Sequence, residues 1–261
     1  MTHPGFSWQP ERYLKFDAER TRPAGDLLAR VPLEAPSRVA DLGCGPGNST
    51  ALLHARWPAA DILGLDSSTA MVERARASGI QASWLQADLA LWRPEPAFDL
   101  LYSNATLQWL PDHGTLFPRL LAGVAPGGCL ALQMPKNFTA PSHRLLAETA
   151  ADGPWAARLA GVLRANPVAE PEVYYDLLAG QSARLDIWLT TYIHVLEGDD
   201  PVYDWMSGTA LRPVFDKLAP AELSAFKVAL CARLGAAYPR RPDGRTLFPF
   251  HRLFIVALKA P

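Results

Sequence analysis

Residues 39–49 read VADLGCGPGNS, and this stretch decides the fold. A short apolar run that carries Asp41 leads into glycines at the alternate positions 43, 45 and 47, and Asn48 follows with a side chain able to cap a helix. When a buried parallel strand opens into a glycine loop, backbone N–H groups and a helix N-terminus point at whatever lies above the strand ends. The stretch therefore predicts the nucleotide-binding corner of an α/β fold.

The glycine spacing indicates which nucleotide this corner binds. A dinucleotide-binding loop needs a glycine three positions after its second glycine, and the residue three after Gly45 is Asn48. Gly43, Gly45 and Gly47 instead resemble the DxGxGxG pattern of the class I methyltransferases. The resemblance implies S-adenosylmethionine as the cofactor, held by a loop that includes Asp41, Gly43 and Gly45.

Acidic residues end the next two predicted strands. Asp66 ends the strand at residues 62–66 and lies nineteen residues after Gly47, close to the ~20 typical of a ribose-binding carboxylate. Asp88 ends a strand at residues 83–88, where it is predicted to accept from the adenine amine. For each acid, a helix N-cap or a solvated loop residue is the alternative, and for the set an α/β domain binding another ligand is the alternative. The predicted cofactor site also includes three neighbours of these acids: Ser67, Met71 and Leu89.

The end of the fourth predicted strand, residues 98–105, indicates where the methyl group is transferred. Ser103 and Asn104 are predicted to lie under the sulfonium. Gln108 and Trp109 are predicted to line the space around the methyl group. Methylation of an adenine amine calls for Asn-Pro-Pro-aromatic here, but residues 103–106 read SNAT, which disfavours a nucleic-acid base as substrate. For Trp109, a core position is the alternative.

The remaining pattern predicts a doubly wound, mostly parallel seven-stranded sheet with an antiparallel terminal strand, a Rossmann-like α/β class I methyltransferase fold. Residues 1–30 are predicted to form an N-terminal helical lid. Residues 31–137 and 182–261 are predicted to form the core, with a helical elaboration at 200–240, and residues 138–181 are predicted to form a helical insertion after the fifth strand that caps the substrate.

The strand predicted at residues 184–195 alternates between two faces. One face is aliphatic, and the other carries Trp188, Tyr192 and His194. The aromatic face is predicted either to line the pocket or to be covered by helices.

Composition limits the partners and the compartment. The 261 residues include 25 basic and 26 acidic side chains, a net charge of −1, which gives no overall attraction to nucleic acid or to an anionic membrane. Cys44, Cys129 and Cys231 are odd in number and lack metal-ligand spacing, so no metal is predicted and a reducing cytoplasm is expected. We find no apolar run of ~18 residues and no signal-peptide stretch. The sequence leaves the oligomeric state open.

Over nearly its full length, the chain resembles the trans-aconitate 2-methyltransferase family. The stretches that carry the resemblance are WQPERYLKFDAERTRPAGDLL (8–28), DLGCGPGNST (41–50), NATLQWLPDH (104–113), ALQMP (131–135) before Asn137, ETAADGPW (148–155) and GTALRP (208–213). The resemblance implies methylation of one carboxylate of trans-aconitate to a monomethyl ester. A carboxylate is ionised at neutral pH, so no general base is predicted.

A carboxylate substrate needs cations and donors to hold it. Arg212 is the first candidate, with a structural cap as the alternative. Arg22 is predicted to bind either the methionine carboxylate or a substrate carboxylate, with a solvated helix cation as the alternative. His143 is a candidate donor or a surface histidine near a helix start. Tyr13 belongs either to the cofactor-binding lid or to ordinary packing.

Two other functions remain open at this point. One is a methyltransferase that acts on a different carboxylate, such as a malonyl thioester on an acyl carrier protein, which calls for a basic docking patch. The other is a non-catalytic S-adenosylmethionine-binding protein, which is expected to lose the polar strand ends or the substrate cations; this chain keeps both.

Overall fold

The structure is a computed structural model that describes residues 17–163 and 166–261, with side chains described from residue 21 onward within the first helix. Tyr13, a predicted lid residue, lies outside the described residues.

Strands and helices alternate in the first half of the chain. The elements are α1 (Asp17–Leu28), β1 (Arg38–Leu42), α2 (Asn48–Arg56), β2 (Asp61–Asp66), α3 (Thr69–Ala77), β3 (Ser83–Gln86), β4 (Phe98–Asn104), a 3-10 turn (Leu107–Trp109), α4 (His113–Ala122) and β5 (Val124–Pro135).

The second half is mainly helical. The elements are α5 (Pro141–Ala151), α6 (Ala156–Leu159), α7 (Pro171–Leu178), a 3-10 turn (Ala179–Gln181), β6 (Ser182–Leu196), α8 (Pro201–Ser207), α9 (Arg212–Phe215), α10 (Pro220–Ala237) and β7 (Thr246–Lys259). Several of these helices begin with proline, whose missing N–H is unneeded in the first helical turn.

The strands form one seven-stranded sheet in the order β3-β2-β1-β4-β5-β7-β6. Strands β1 to β5 pair in parallel, and β7 runs antiparallel to β5. The predicted fold class is confirmed, including the antiparallel terminal strand. The strand order reverses between β1 and β4, and an open α/β sheet binds its ligand in the crevice at such a point.

The structure divides the chain differently from the predicted domains. Among the described residues, one unit comprises 17–20, 137–163, Asn166 and Tyr192–Phe250, and the other comprises Thr21–Lys136, Pro167–Thr191 and His251–Pro261. We call them the helical unit and the sheet unit. The predicted cap at 138–181 is therefore split between them, and the elaboration at 200–240 belongs with the first half of that cap rather than with the core.

Packing within each unit explains the division. In the helical unit, the backbone N–H of Ser142 donates to the Tyr238 hydroxyl at 2.9 Å, and Trp155 meets Phe226 edge to face with ring centroids 5.2 Å apart. These contacts join α5 and the segment after it to α10. In the sheet unit, Tyr174 of α7 packs against Phe117 of α4 at 4.9 Å. Such contacts, between residues far apart in sequence, are not visible in local patterns.

The aromatic face of β6 is packed within the protein. His194 stacks on Trp205 of α8 with ring centroids 4.3 Å apart, and Trp188 stacks on Phe254 of β7 at 4.8 Å. The predicted helix packing is thus confirmed at His194. The aliphatic face is more than half exposed at three positions: Leu189, Ile193 and Val195. Aromatic rings bury the larger apolar area, which favours the covering of their face.

Candidate active site

The glycine loop after β1 needs two of its glycines for different reasons. Gly43 and Gly45 both have positive φ, 75° and 54°. A Cβ on Gly43 would lie 2.1 Å from Thr106 Cγ2, whereas a Cβ on Gly45 would meet nothing within 4 Å. The Thr106 hydroxyl also donates to the Gly43 carbonyl at 3.1 Å. Gly43 therefore allows the loops after β1 and β4 to touch, and Gly45 faces open space.

Asp66 lies beside this loop, as its spacing predicted. One carboxylate oxygen accepts from the Gly45 N–H at 3.0 Å, and the other accepts from the Ser68 N–H at 2.8 Å. A carboxylate offers about four lone-pair sites, so both oxygens keep the capacity to accept from ribose hydroxyls. The same side chain thus shapes the loop and remains able to bind a ligand.

Asp41 is fully buried at the base of the loop. Its Oδ2 accepts from the Ser49 hydroxyl at 2.7 Å and the Thr50 hydroxyl at 2.6 Å, which ties β1 to α2. Its Oδ1 is buried and has no hydrogen-bond partner among the described residues. Burial raises the pKa of Asp41 to about 6, against the opposing effect of the two hydroxyl donors, and the charge of Asp66 adds to the rise.

Two of the predicted cofactor residues, Asp88 and Leu89, lie just after β3. The Ala87 N–H donates to the Asp66 carbonyl at 3.0 Å, which brings the ends of β2 and β3 together. The Asp88 carboxylate accepts from the Ala90 N–H at 2.9 Å in an exposed turn, so Asp88 has the position of a solvated loop residue, one of its two alternatives. Its second oxygen stays available for the predicted adenine contact. Among the predicted neighbours, two are buried and one is exposed: Met71, Leu89 and Ser67.

Ser103 and Asn104, the two residues predicted to lie under the sulfonium at the end of β4, have different environments. Ser103 is fully buried, and its hydroxyl donates to the Leu42 carbonyl at 2.8 Å. It therefore joins β4 to β1 rather than lying under the sulfonium. Asn104 is half-buried, and its Oδ1 is buried without a hydrogen-bond partner among the described residues. Its amide remains a candidate to face the methyl group.

Gln108 and Trp109 lie on the 3-10 turn that follows β4. The Gln108 amide donates to the Ala105 carbonyl at 2.6 Å, while its Oε1 is buried without a partner within residues 17–163 and 166–261. Trp109 is 40% exposed, so it is not a core residue. Both positions remain compatible with the predicted wall of the methyl-transfer space.

His113 and Tyr174 support this turn and were missed in the sequence. His113 Nδ1 lies 2.7 Å from the Tyr174 hydroxyl, and Nε2 lies 3.0 Å from the Leu107 carbonyl. The Leu107 carbonyl can only accept, so Nε2 carries the hydrogen and donates to it. In the neutral ring Nδ1 then accepts from the Tyr174 hydroxyl, which itself accepts from the Ala169 N–H. Burial lowers the pKa of His113, consistent with this neutral form. The only signal in the sequence was the place of His113 at the end of the NATLQWLPDH stretch.

Gln133 and Arg252 form a second pair that sequence reasoning missed. Gln133 near the end of β5 and Arg252 on β7 are both buried, and Arg252 Nη1 donates to Gln133 Oε1 at 3.1 Å. Gln133 Nε2 is buried and has no hydrogen-bond partner in the described part of the chain. The Ala105 N–H donates to the Gln133 carbonyl at 2.9 Å, so this pair lies beside the end of β4.

The predicted substrate residues lie in different units. Arg22 belongs to the sheet unit, is exposed, and lies 3.8 Å from the Asp26 carboxylate one helical turn on, as expected of a solvated helix cation. His143 and Arg212 belong to the helical unit. His143 is half-buried rather than on the surface, and burial lowers its pKa to about 4.

Arg212 is half-buried at the first position of α9, and the N-cap position belongs to Leu211. The structure gives its guanidinium no hydrogen bond or ion pair to the described residues, so the structural-cap alternative has no support there. Its five donors remain available.

The two positive-φ glycines at 45 and 79 provide a matched test of the loop. A Cβ on Gly79, after α3, also meets nothing within 4 Å, and its φ is 78°. Changing either glycine to alanine is expected to cost about 1–2 kcal/mol of folding stability from the left-handed backbone. Only Gly45→Ala is expected to weaken S-adenosylmethionine binding, because the added methyl group would occupy space that the cofactor fills. The expected loss is about 1–3 kcal/mol, the cost of inserting an extra carbon into a packed region. Thermal unfolding and calorimetry measure the two effects, and equal cofactor affinity in both variants would remove Gly45 from the site.

Three features at the glycine loop suit the binding of S-adenosylmethionine. The open face of Gly45, the unpartnered Oδ1 of Asp41 and the carboxylate of Asp66 together offer shape, a charge for an ammonium group and acceptors for ribose hydroxyls. The sheet order and this loop define a class I methyltransferase, which uses S-adenosylmethionine.

Comparison with known proteins gives the family. A model described as a methyltransferase domain matches residues 39–128. A trans-aconitate 2-methyltransferase from Azoarcus sp. (strain BH72) is 53% identical over 97% of this chain and 99% of its own length, and one from Methylobacterium radiotolerans is 52% identical over 97% and 98%. The chain belongs to the trans-aconitate 2-methyltransferase family.

Solved structures agree on the fold. The YcgJ protein from Bacillus subtilis has a TM-score of 0.60 at 13% identity, with 92% of this chain and 99% of that one covered. A phosphoethanolamine N-methyltransferase 2 from Haemonchus contortus, in complex with S-adenosyl-L-methionine, has a TM-score of 0.54 at 16% identity, with 92% and 53% covered.

The described part of the chain contains neither a membrane-spanning helix nor a cluster of metal-binding side chains. None of the helices within residues 17–163 and 166–261 combines the length and apolarity needed to cross a bilayer. The same residues contain no group of three or more histidine, cysteine, aspartate or glutamate side chains placed to hold a metal ion.

Proposed function

We propose that this protein transfers the methyl group of S-adenosylmethionine to one carboxylate of trans-aconitate, giving a monomethyl ester and S-adenosylhomocysteine. The observation that carries the proposal is the near-complete coverage, at 53% identity, of a relative named for that activity. The polar ends of β1, β2 and β4 in the sheet unit support it, because they provide the acceptors that a methyl donor needs.

The cofactor residues are proposed to divide their work by chemistry. Asp66 accepts from the ribose hydroxyls, Asp88 accepts from the adenine amine, and the Gly45 backbone allows close approach. Asp41 supplies a negative charge for the ammonium group of the methionine portion. When bound, S-adenosylmethionine supplies a methyl group already activated by its sulfonium.

The chain is proposed to act by positioning rather than by proton transfer. The side chains at the end of β4 and on the following turn include Asn104 and Gln108, amides that do not titrate near neutral pH. An ionised carboxylate needs no base. Holding it in line about 3 Å from the methyl group supplies roughly 7–11 kcal/mol of the barrier.

The direct test is turnover with labelled S-adenosylmethionine and a panel of di- and tricarboxylates. We expect trans-aconitate to have the highest kcat/KM and the product to be a monomethyl ester. The absence of any methyl ester across the panel would contradict the proposal. Methylation of a malonyl thioester in preference to every free acid would replace the substrate and keep the class of reaction.

The pH dependence of kcat tests the absence of a general base. Between pH 6.5 and 8.5 we expect a nearly flat profile, because a carboxylate nucleophile is ionised throughout and His143, with a pKa of about 4, stays neutral. General-base catalysis instead gives a rate that rises through the pKa of the base. A rising limb in this range, or loss of activity with a chelator, would favour a hydroxyl substrate.

Asp41 gives the cofactor affinity its own pH dependence. Because the pKa of Asp41 in the free protein is about 6, the side chain takes up a proton as pH falls through 6. The ammonium group of the cofactor favours the ionised form, so the Kd for S-adenosylmethionine is expected to rise below pH 6. Calorimetry from pH 5 to 7.5 measures this change. Asp41→Asn keeps an oxygen for the Ser49 and Thr50 hydroxyls and is expected to remove the pH dependence; an unchanged slope would exclude Asp41.

We also propose the setting of the reaction. The protein acts on a small-molecule tricarboxylate in the cytoplasm, with no nucleic-acid or membrane partner. The net charge of −1 supports this.

A further inference from the structure

We propose that Gln133 determines substrate specificity by donating from its side-chain amide to a carboxylate oxygen of the substrate, and that Arg252 positions this amide. The inference rests on the proposed function, since it names a contact with the same substrate. All of its residues belong to the sheet unit.

Arg252 fixes which end of the Gln133 amide faces outward from the pair. A guanidinium only donates hydrogen bonds, and Arg252 Nη1 lies 3.1 Å from Gln133 Oε1. Turning the amide over would place its NH2 group against another donor. The oxygen therefore faces Arg252, and the NH2 group faces away from it.

The antiparallel pairing of β5 and β7 makes this arrangement rigid. Gln133 pairs with Phe254 and Pro135 pairs with Arg252, so the glutamine and the arginine are diagonal neighbours on one face of the sheet. Both side chains are at least 97% buried, with exposures of 0% and 3%. The orientation of the amide is thus a property of the sheet and not of a mobile surface group.

The NH2 group of Gln133 lacks the acceptor that a buried donor needs. Its Nε2 is buried, and no atom of the described residues accepts from it. A buried donor without an acceptor is costly, and in native structures such a group calls for an explanation such as a ligand or a water molecule. The missing partner is an acceptor.

The neighbours of Gln133 indicate that this acceptor belongs to the substrate. In the parallel pairing of β4 and β5, Asn104 is the register partner of Gln133, so both side chains lie on one face at the carboxyl ends of the strands. Asn104 Oδ1 and Gln108 Oε1 are also buried without partners, but both are acceptors. Among the buried unpartnered atoms of these three amides, Gln133 Nε2 is the donor, and a donor is what a carboxylate oxygen requires.

The test uses trans-aconitate binding to the S-adenosylhomocysteine complex, measured by calorimetry. Gln133→Met keeps the length of the side chain and removes the donor. It is expected to raise the Kd for trans-aconitate about 10- to 100-fold, the range for losing a hydrogen bond to a charged group. Gln133→Glu keeps an acceptor for Arg252 but adds a negative charge, so its effect is expected to be larger. Gln81→Glu, an exposed glutamine outside the site, is the control for added charge and is expected to bind like the wild type.

A double-mutant cycle tests the positioning by Arg252. In Arg252→Gln, the new side chain can face either end of the Gln133 amide, so the amide loses its fixed orientation and substrate binding weakens. Adding Gln133→Met to Arg252→Gln is expected to cause little further loss. Additive losses would mean that Arg252 acts independently of Gln133 and would overturn the positioning claim.

Other outcomes separate this inference from the proposed function. An unchanged Kd for trans-aconitate in Gln133→Met would overturn the inference. Weakened S-adenosylhomocysteine binding in that variant would also overturn it, because the donor would then serve the methionine carboxylate. If the wild type binds trans-aconitate with the expected dependence on Gln133 but forms no ester, the inference stands and the proposed reaction fails.

Discussion

Replacing Asp66 with alanine is expected to weaken S-adenosylmethionine binding by about 1.5–3 kcal/mol, the range for hydrogen bonds to a charged group. The ribose hydroxyls lose their acceptor. The Gly45 and Ser68 N–H groups, which donate to the two carboxylate oxygens, lose theirs as well, so the glycine loop also loses its support. Calorimetry on the wild type and the variant measures the change.

Asp61 offers a matched control on the same strand. It begins β2, where Asp66 ends it, and it is exposed. Asp61→Ala removes the same charge from the opposite end of the strand and is expected to leave cofactor affinity unchanged. Equal affinity in Asp66→Ala and the wild type would exclude Asp66 as the ribose ligand, and binding of NAD in place of the methyl donor would contradict the methyltransferase class.

The positions of the predicted cofactor residues around the glycine loop could be predicted because their signals are local. Gly43, Gly45 and Asp41 lie within one strand and its loop, and Asp66 lies at a spacing fixed by one crossover helix. Parallel strands then bring their carboxyl ends to one edge of the sheet. The sequence pattern therefore predicted both which residues lie at the loop and that they lie close together.

The two buried side-chain pairs next to the end of β4 and its following turn were less predictable because the members of each pair are distant in sequence. Gln133 and Arg252 are 119 residues apart, and His113 and Tyr174 are 61 apart. Their contacts depend on strand and helix pairings that no local pattern specifies. A lone glutamine in an apolar strand gives no indication that its amide is oriented by an arginine on another strand.

Residue type also failed to distinguish neighbours at the end of β4. Ser103 and Asn104 are both polar and adjacent, but successive strand residues face opposite sides of a sheet. The Ser103 hydroxyl donates to the Leu42 carbonyl, whereas the Asn104 amide oxygen is buried without a partner in the described residues. The sequence indicates that Ser103 and Asn104 face opposite sides of the sheet, but it does not indicate which of the two faces the site.

Replacing Arg212 with alanine is expected to raise the KM for trans-aconitate strongly, with a loss of about 2–5 kcal/mol, typical of removing one partner of a desolvated charge pair. A tricarboxylate brings several negative charges to its site, and each needs a charge-assisted donor. Arg212 is half-buried, and its guanidinium makes no hydrogen bond or ion pair to the described residues, so its donors are available for this task. Cofactor affinity is expected to be unchanged.

Two further variants decide how Arg212 acts. Arg212→Lys keeps the charge but loses the planar fork, so it is expected to recover only part of the loss. Arg144→Ala removes a cation of the same unit that is already paired with Glu148 at 2.7 Å, and it is expected to leave KM unchanged. If Arg212→Ala lowers the unfolding temperature and weakens cofactor and substrate binding alike, Arg212 is structural. If trans-aconitate turnover is untouched, residues other than Arg212 must hold the substrate carboxylates, because removing a charge-assisted donor from a desolvated carboxylate is costly.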